Sequence, residues 1–347
     1  FCQIPEMDVS CLAVDRKGVL YAGTSPNGKV YRVTAEGKAE ELFNPNEKYI
    51  WSLFANEDGN LLAAVGEGGG IYEISPQGAG RMIFKARENH VLCLKMDKNR
   101  DIVAGTGGNG LIYRIGPGGK ASAIFETPFE EVRTLAFDLD GNIYAAAGGT
   151  PTRGRREDLP PVPASARDPE VTVSVVAAAP AQAAAAAQIT AAQPQSKVPA
   201  PGAAGREGGA LFRVSADGLA KRIWSSPEDM IYSLFWDESG KRVVFGTGPK
   251  GRLFSADPNG NATLILQSGS EQAFELVPVG VRTYLLANNP CAMSVLNPDI
   301  RSNGEYTGPV LDARMIASWG RISWEAVNPS GAVCRFQTRS GNSAEPG

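Results

Sequence analysis

Two sets of glycines return along this chain at a nearly constant interval, and that interval limits the fold more than any other feature. Gly28, Gly69, Gly110, Gly209 and Gly251 form one set, and Gly37, Gly78, Gly119, Gly218 and Gly260 the other. Most steps are 41 or 42 residues, and the single step of 99 exceeds 41 by 58. A fixed period of this size means one supersecondary unit repeated, with one foreign segment inserted. At hairpin turns a glycine can take φ > 0 without steric cost, so both sets are expected at turns.

The residues between the glycines repeat as well. The segment from Val9 to Phe43 aligns with the stretches that start at Ile50 and Val91. A fourth copy starts at Val132, breaks after Gly149 and resumes at Gly208; a fifth starts at Ile231 and a degenerate sixth at Ala273. Each copy reads as four short strands. An apolar first strand is followed by an Asp-containing turn, and a second strand ends in YAGT, VAGT or VFGT. The third strand carries an aromatic at a fixed place (Tyr31, Tyr72, Tyr113, Phe212, Phe254), and the fourth ends at Phe43, Phe84, Phe125 or Trp224. Short strands joined by Gly, Asn and Asp turns at this period predict the blades of an all-β propeller. Helical repeats of similar length need a helical periodicity that is absent.

The pattern D-x-x-G-x-L-Y-A-G-T-x-x-x-G-x-V-Y-R, seen from Asp15 to Arg32, resembles the repeats of bacterial WD40, NHL and gluconolactonase-like propellers. It is most similar to the propeller repeats of two-component sensor ectodomains. The resemblance covers residues 8 to about 300. It implies four-stranded antiparallel blades, six in this chain, as part of a seven-bladed ring. The Trp-Asp pair of WD40 blades does not repeat: Trp236-Asp237 occurs once, at a first turn.

The expected domains are a propeller over 1–304, a disordered insert over 150–207 within the fourth repeat, and the start of a β-sandwich over 305–347. The insert holds 16 Ala and 9 Pro in 58 positions and no aromatic. Such a segment buries too little apolar surface to offset its ordering entropy. A helix across Ala183–Ala192 or a short strand at Val171–Val176 is the alternative. After Pro298 the repeat stops, and both YTGPVLDARMIASWGRISWEAV and VCRFQT alternate as half-buried strands do. This stretch resembles the opening of a discoidin-like sandwich. At the other end, Phe1-Cys2 align with Leu42-Phe43, the end of an outer strand. The register therefore points to a preceding blade.

Composition removes several function classes. A net charge of −3 offers no basic face for nucleic acid. No run of 18 apolar residues exists to span a membrane. Five cysteines, none in C-x-x-C spacing, make neither a zinc site nor a full disulfide framework. Cys11 and Cys93 share a repeat position with Ser52, Thr134 and Ser233, so small size for packing between blades explains them. The turn residues Asp15, Asp58, Asp97, Asp138, Asp140 and Asp237 read as Asx-turns rather than calcium ligands, since Ala147 stands where an EF-hand needs its bidentate Glu. GEGGG and GTGGNG are followed by strands, not by the helix a phosphate loop requires.

One set of positions varies where its neighbours do not. Asp8, Tyr49, His90, Glu131, Met230 and Gln272 each precede a first-strand Val, Ile or Ala. First strands line the central channel of a propeller, so these residues are expected as a ring at its mouth. Asp8, Tyr49, His90, Glu131 and Gln272 are the candidate ligand-binding residues. No catalytic constellation is legible. The reading is a non-enzymatic binding or scaffold propeller, extracytoplasmic (periplasmic or secreted), recognising a protein or glycan through its loop face. The alternatives are a sensor ectodomain, or a lactonase- or lyase-type enzyme with a divalent cation held by Asp8, His90 and Glu131. No resident cofactor is otherwise expected.

Overall fold

The computed structural model describes residues 2–151, 175–176, 208–297, 318–319 and 333–338. The repeat is realised as antiparallel sheets in strict chain order. Blade 1 consists of Asp8–Val14, Leu20–Ser25, Val30–Val33 and Ala39–Phe43, each strand paired with the next. The first strands of the later blades are Tyr49–Ala55, His90–Met96, Phe129–Phe137, Met230–Asp237 and Gln272–Val279. Each begins within a few residues of its expected start. The sixth blade has three strands among the described residues, the last being Ala292–Leu296. The one helical element described is a turn at Pro117–Gly119. First strands of successive blades stand side by side, which sets the blades around a common axis.

Why the strands end where they do is plain in the turns. Asp15 Oδ1 accepts from the backbone N–H groups of Lys17 and Val19, and Asp97 Oδ1 from those of Asn99 and Asp101, as Asx-turns do. The second glycine set behaves as expected: Gly37, Gly78, Gly119, Gly218 and Gly260 all have positive φ. The first set needs a correction. Gly28, Gly69, Gly110 and Gly251 have positive φ, but Gly209 lies in an extended strand. What all five share is closeness. A Cβ would stand 2.0 to 2.5 Å from a carbonyl oxygen of the chain leading into the next blade, at Glu47, Glu88, Phe129, Asp229 or Ser270.

Blades lock together by two repeated devices. The first is aromatic. Phe43 meets Tyr72, Phe84 meets Tyr113, Phe125 meets Phe212 and Trp224 meets Phe254, with ring centroids 5.2 to 5.6 Å apart. An outer-strand ring of one blade thus packs on the third-strand ring of the next. The second device is a knob in a socket. Ile50, Val91, Val132, Ile231 and Ala273 press onto Gly23, Ala64, Gly105, Ala146 and Gly246 of the preceding blade. The thiols of Cys11 and Cys93 donate to the Ile50 and Val132 carbonyls at 3.4 Å, in the same seam. Burial pushes both thiols up to about 12, so they serve as small packing groups.

The insert leaves and returns at one rung of blade 4: Gly149 is paired with Gly208, between the strands Ile143–Pro151 and Gly208–Val214. The expectation of disorder lies outside the described residues, except that Val175–Val176 forms a short strand. That strand pairs antiparallel with Ser318–Trp319, within a second compact unit of Pro169–Ala200 and Asp299–Gly347. The expected sandwich opening over 305–347 otherwise lies outside the described residues, save Val333–Thr338. These six are exposed and belong to no strand, where a half-buried strand was expected.

Candidate functional site at the channel mouth

Every first strand carries a β-bulge two residues after its ring position, between Val9 and Cys11 in blade 1 and at the same place in the other five. A bulge leaves one residue unpaired and re-aims its side chain. The bulged residues are Ser10, Trp51, Leu92, Arg133, Tyr232 and Phe274. They vary as freely as the ring positions, and that shared variability was the signal in the sequence that could have added Trp51 and Arg133 to the candidates.

The ring positions also join the blades. Gly66 of blade 2 bridges His90 of blade 3, and Gly107 of blade 3 bridges Glu131 of blade 4. Glycine there clears a space that the bulged side chain crosses. At Gly66 a Cβ would lie 2.3 Å from Trp51 Nε1 and 2.6 Å from His90 Nδ1. Trp51 Nε1 donates to His90 Nδ1 at 3.1 Å. An indole N–H can only donate, so Nδ1 is the acceptor and, in the neutral imidazole, the proton sits on Nε2. Tyr49 stacks on Trp51 with centroids 4.8 Å apart and planes 13° apart, and its ring lies 6.2 Å from His90. Two of the expected ring residues, Tyr49 and His90, are thus brought together by a residue that the sequence reading did not single out.

Blades 5 and 6 repeat the plan. Tyr232 packs on Phe274 at 5.7 Å, and Gln272 Nε2 donates to the Tyr232 hydroxyl at 3.4 Å, over Gly248. Between the two aromatic groups in blade order, Glu131 pairs with Arg133 at 2.5 Å, both about one-third exposed. Asp8 is placed differently. It is exposed and accepts from Ser25 Oγ of its own blade at 3.4 Å. Among the described residues, no three His, Cys, Asp or Glu side chains gather closely enough to hold a metal ion.

Below the mouth, Lys95 of blade 3 and Glu275 of blade 6 feel each other's charge. Burial lowers the Lys95 pKa and raises that of Glu275, and each opposes the shift in the other. A cleft of about 320 Å³ lies at the far ends of the first strands of blades 3 and 4. Its Asp138 carboxylate already accepts from Asn142 and Tyr144, and its Lys98 donates to the Leu139 carbonyl, so it offers few unspent polar groups.

No family model matches the chain, and no curated protein matches it in sequence. Solved structures do match in shape. Virginiamycin B lyase from Staphylococcus aureus is 13% identical with a TM-score of 0.54, covering 84% of each chain. A streptogramin B lyase is 9% identical with a TM-score of 0.56, covering 86% of this chain and 85% of that one. A chain of a nidogen–laminin complex is 13% identical with a TM-score of 0.50, covering 81% of this chain and 93% of that one. At such identities the likeness is one of fold, and the fold is the β-propeller.

Proposed function

We propose that the chain is a non-enzymatic binding propeller that holds a protein or glycan partner at its channel mouth, outside the cytoplasm. The observation that carries this reading is the Tyr49–Trp51–His90 group, built from two blades and fixed by the indole–imidazole hydrogen bond. Aromatic faces take up the CH-rich face of a sugar ring or an apolar side chain, while their polar tips supply direction. Glu131, Arg133 and Gln272 add donors and acceptors around the same mouth. Structures of similar fold include both lyases and a component of a protein complex, so the choice rests on the chemistry of the mouth. The enzyme alternative needs Asp8, His90 and Glu131 to share one ion, whereas Glu131 is engaged by Arg133 and Asp8 by Ser25.

The test is a glycan array and a peptide array probed with the whole chain. Trp51→Ala should weaken the best ligand at least tenfold, which is about 1.4 kcal/mol. Leu219→Ala, on an exposed turn of blade 4, should leave it unchanged. Equal effects of the two substitutions would sink the proposal. A divalent metal that raises the thermal midpoint, with the rise abolished by Glu131→Ala, would favour the enzyme instead.

A further inference from the structure

His90 is the only histidine of the sequence, and it stands at the hydrogen bond that fixes the mouth group. Imidazole is the side chain whose ordinary charge change falls between about pH 5 and 8. The bond from Trp51 Nε1 uses the lone pair of Nδ1. A second proton on the ring takes that lone pair, and two N–H groups then point at each other. The two rings meet edge-on, with centroids 6.0 Å apart and planes at 65°. An aromatic edge is its positive side, so an imidazolium held there gains no compensating attraction.

The surroundings let the group open. Tyr49, Trp51 and His90 are all half-buried, so a charged ring can turn to water. Gly66 has no side chain to hold the indole once the bond is gone. The strands Tyr49–Ala55, Leu61–Gly66 and Ile102–Gly107, which flank His90, carry no charged residue. Charges on the other packed elements are engaged elsewhere. Glu73 accepts from Asn60 and Arg81, and Glu131 pairs with Arg133. Glu67 pairs with Lys48, and Glu88 accepts from Asn109 and the Tyr113 hydroxyl, beside Arg87. Glu47 lies against Gly68 and Glu130 against Gly149, while Lys95 feels Glu275. In blades 5 and 6 the matching bond joins the Gln272 amide to the Tyr232 hydroxyl, with no imidazole in it.

We propose that the mouth is released by acid. Protonation of His90 from solvent breaks the indole–imidazole bond, frees Trp51 and lets go a partner held at neutral pH. The freeing of Trp51 stands on the geometry alone, whereas the loss of a partner rests on the binding reading above. The Tyr232–Phe274 group keeps its bond, so the mouth loses one of its two aromatic footholds and not both.

The first part of the test needs no partner. Nitrogen-15 NMR of the full chain reads a single imidazole. It should show the proton on Nε2 at about pH 8 and protons on both nitrogens at about pH 5. Acrylamide, a small neutral quencher, then probes Trp51 as the difference between the wild type and Trp51→Phe, since the chain holds five tryptophans. Quenching of Trp51 should rise roughly twofold or more between the same pH values as the open form takes over. His90→Asn sets an amide oxygen, an acceptor that takes up no proton, near the place of Nδ1 and should abolish the rise. Glu131→Gln should keep it. On the glycan and peptide arrays, the strongest binding at the higher pH should weaken about tenfold at the lower, as when a tenth of the mouths stay competent. A proton on Nδ1 at the higher pH, no rise in quenching, an equal rise in His90→Asn, or loss of the rise in Glu131→Gln overturns the proposal. So does array binding that ignores pH while quenching rises. Arrays blank at both pH values, with the full quenching response, sink the binding reading and leave the acid release of Trp51 standing.

Discussion

Gly105 shows how little slack the seams contain. A Cβ there would lie 2.6 Å from Val132 Cγ1 and 2.8 Å from Cys93 Sγ. Both neighbours are buried and cannot swing aside. Gly105→Ala is therefore expected to destabilise by about 1–3 kcal/mol through overpacking, read as a lower denaturant midpoint. Gly269→Ala is the control: no heavy atom lies within 4 Å of its Cβ position, and the change should stay within about 0.5 kcal/mol. At this scale the sequence was legible wherever a residue had to be small. Cys11 and Cys93 aligned with Ser and Thr, and size alone explained them. Trp51 was not legible. Its orientation follows from a bulge, and a bulge is a displacement of register between two strands that one strand's letters do not record. The expected ring itself is divided by the structure: Tyr49 and His90 share one group, Gln272 joins Tyr232, Glu131 takes Arg133, and Asp8 turns to its own blade.

Among the elements, the outer strand and the third strand depend on each other across blades. The aromatic positions at Phe43, Phe84, Phe125 and Trp224 and those at Tyr72, Tyr113, Phe212 and Phe254 were visible as two separate periodicities. That they meet, always one blade apart, was not, because period alone carries no direction. The same holds for Gly209. It kept its place in the repeat when the hairpin beside it was replaced by the insert, because the close approach to Asp229 persists when the turn does not. The insert starts and ends on the Gly149–Gly208 rung. Removing residues 150–207 and joining Gly149 to Gly208 replaces a long loop by a tight one and lowers the closure cost. Stability in a urea melt is expected to be unchanged or slightly higher. A loss of several kcal/mol would mean that the insert packs on the blades.

For the whole molecule, order along the axis comes from neighbour-to-neighbour contacts rather than from one central core. The buried apolar residues fall into successive clusters, several of which span a seam, such as the one joining Tyr21 and Val30 of blade 1 to Ile50 and Leu53 of blade 2. This is why the fold could be read from a period, whereas the blade count of the closed ring could not: closure depends on two faces that never meet within the repeat unit. No helix among the described residues is long and apolar enough to cross a membrane. Blade 4 differs from its neighbours in one respect that concerns the covalent chain rather than the shape. Its second and third strands come from opposite sides of the insert, and are zipped from Ile143 with Val214 to Gly149 with Gly208. The pairing of these two strands thus does not depend on an unbroken chain between those two glycines. With a protease site installed in the insert and cut, the protein should run as two pieces on a denaturing gel and as one particle in gel filtration. Separation of the halves without denaturant would contradict this. The chain then behaves as a ready-made split protein, whose two halves, made apart, carry in blade 4 the edge by which each finds the other.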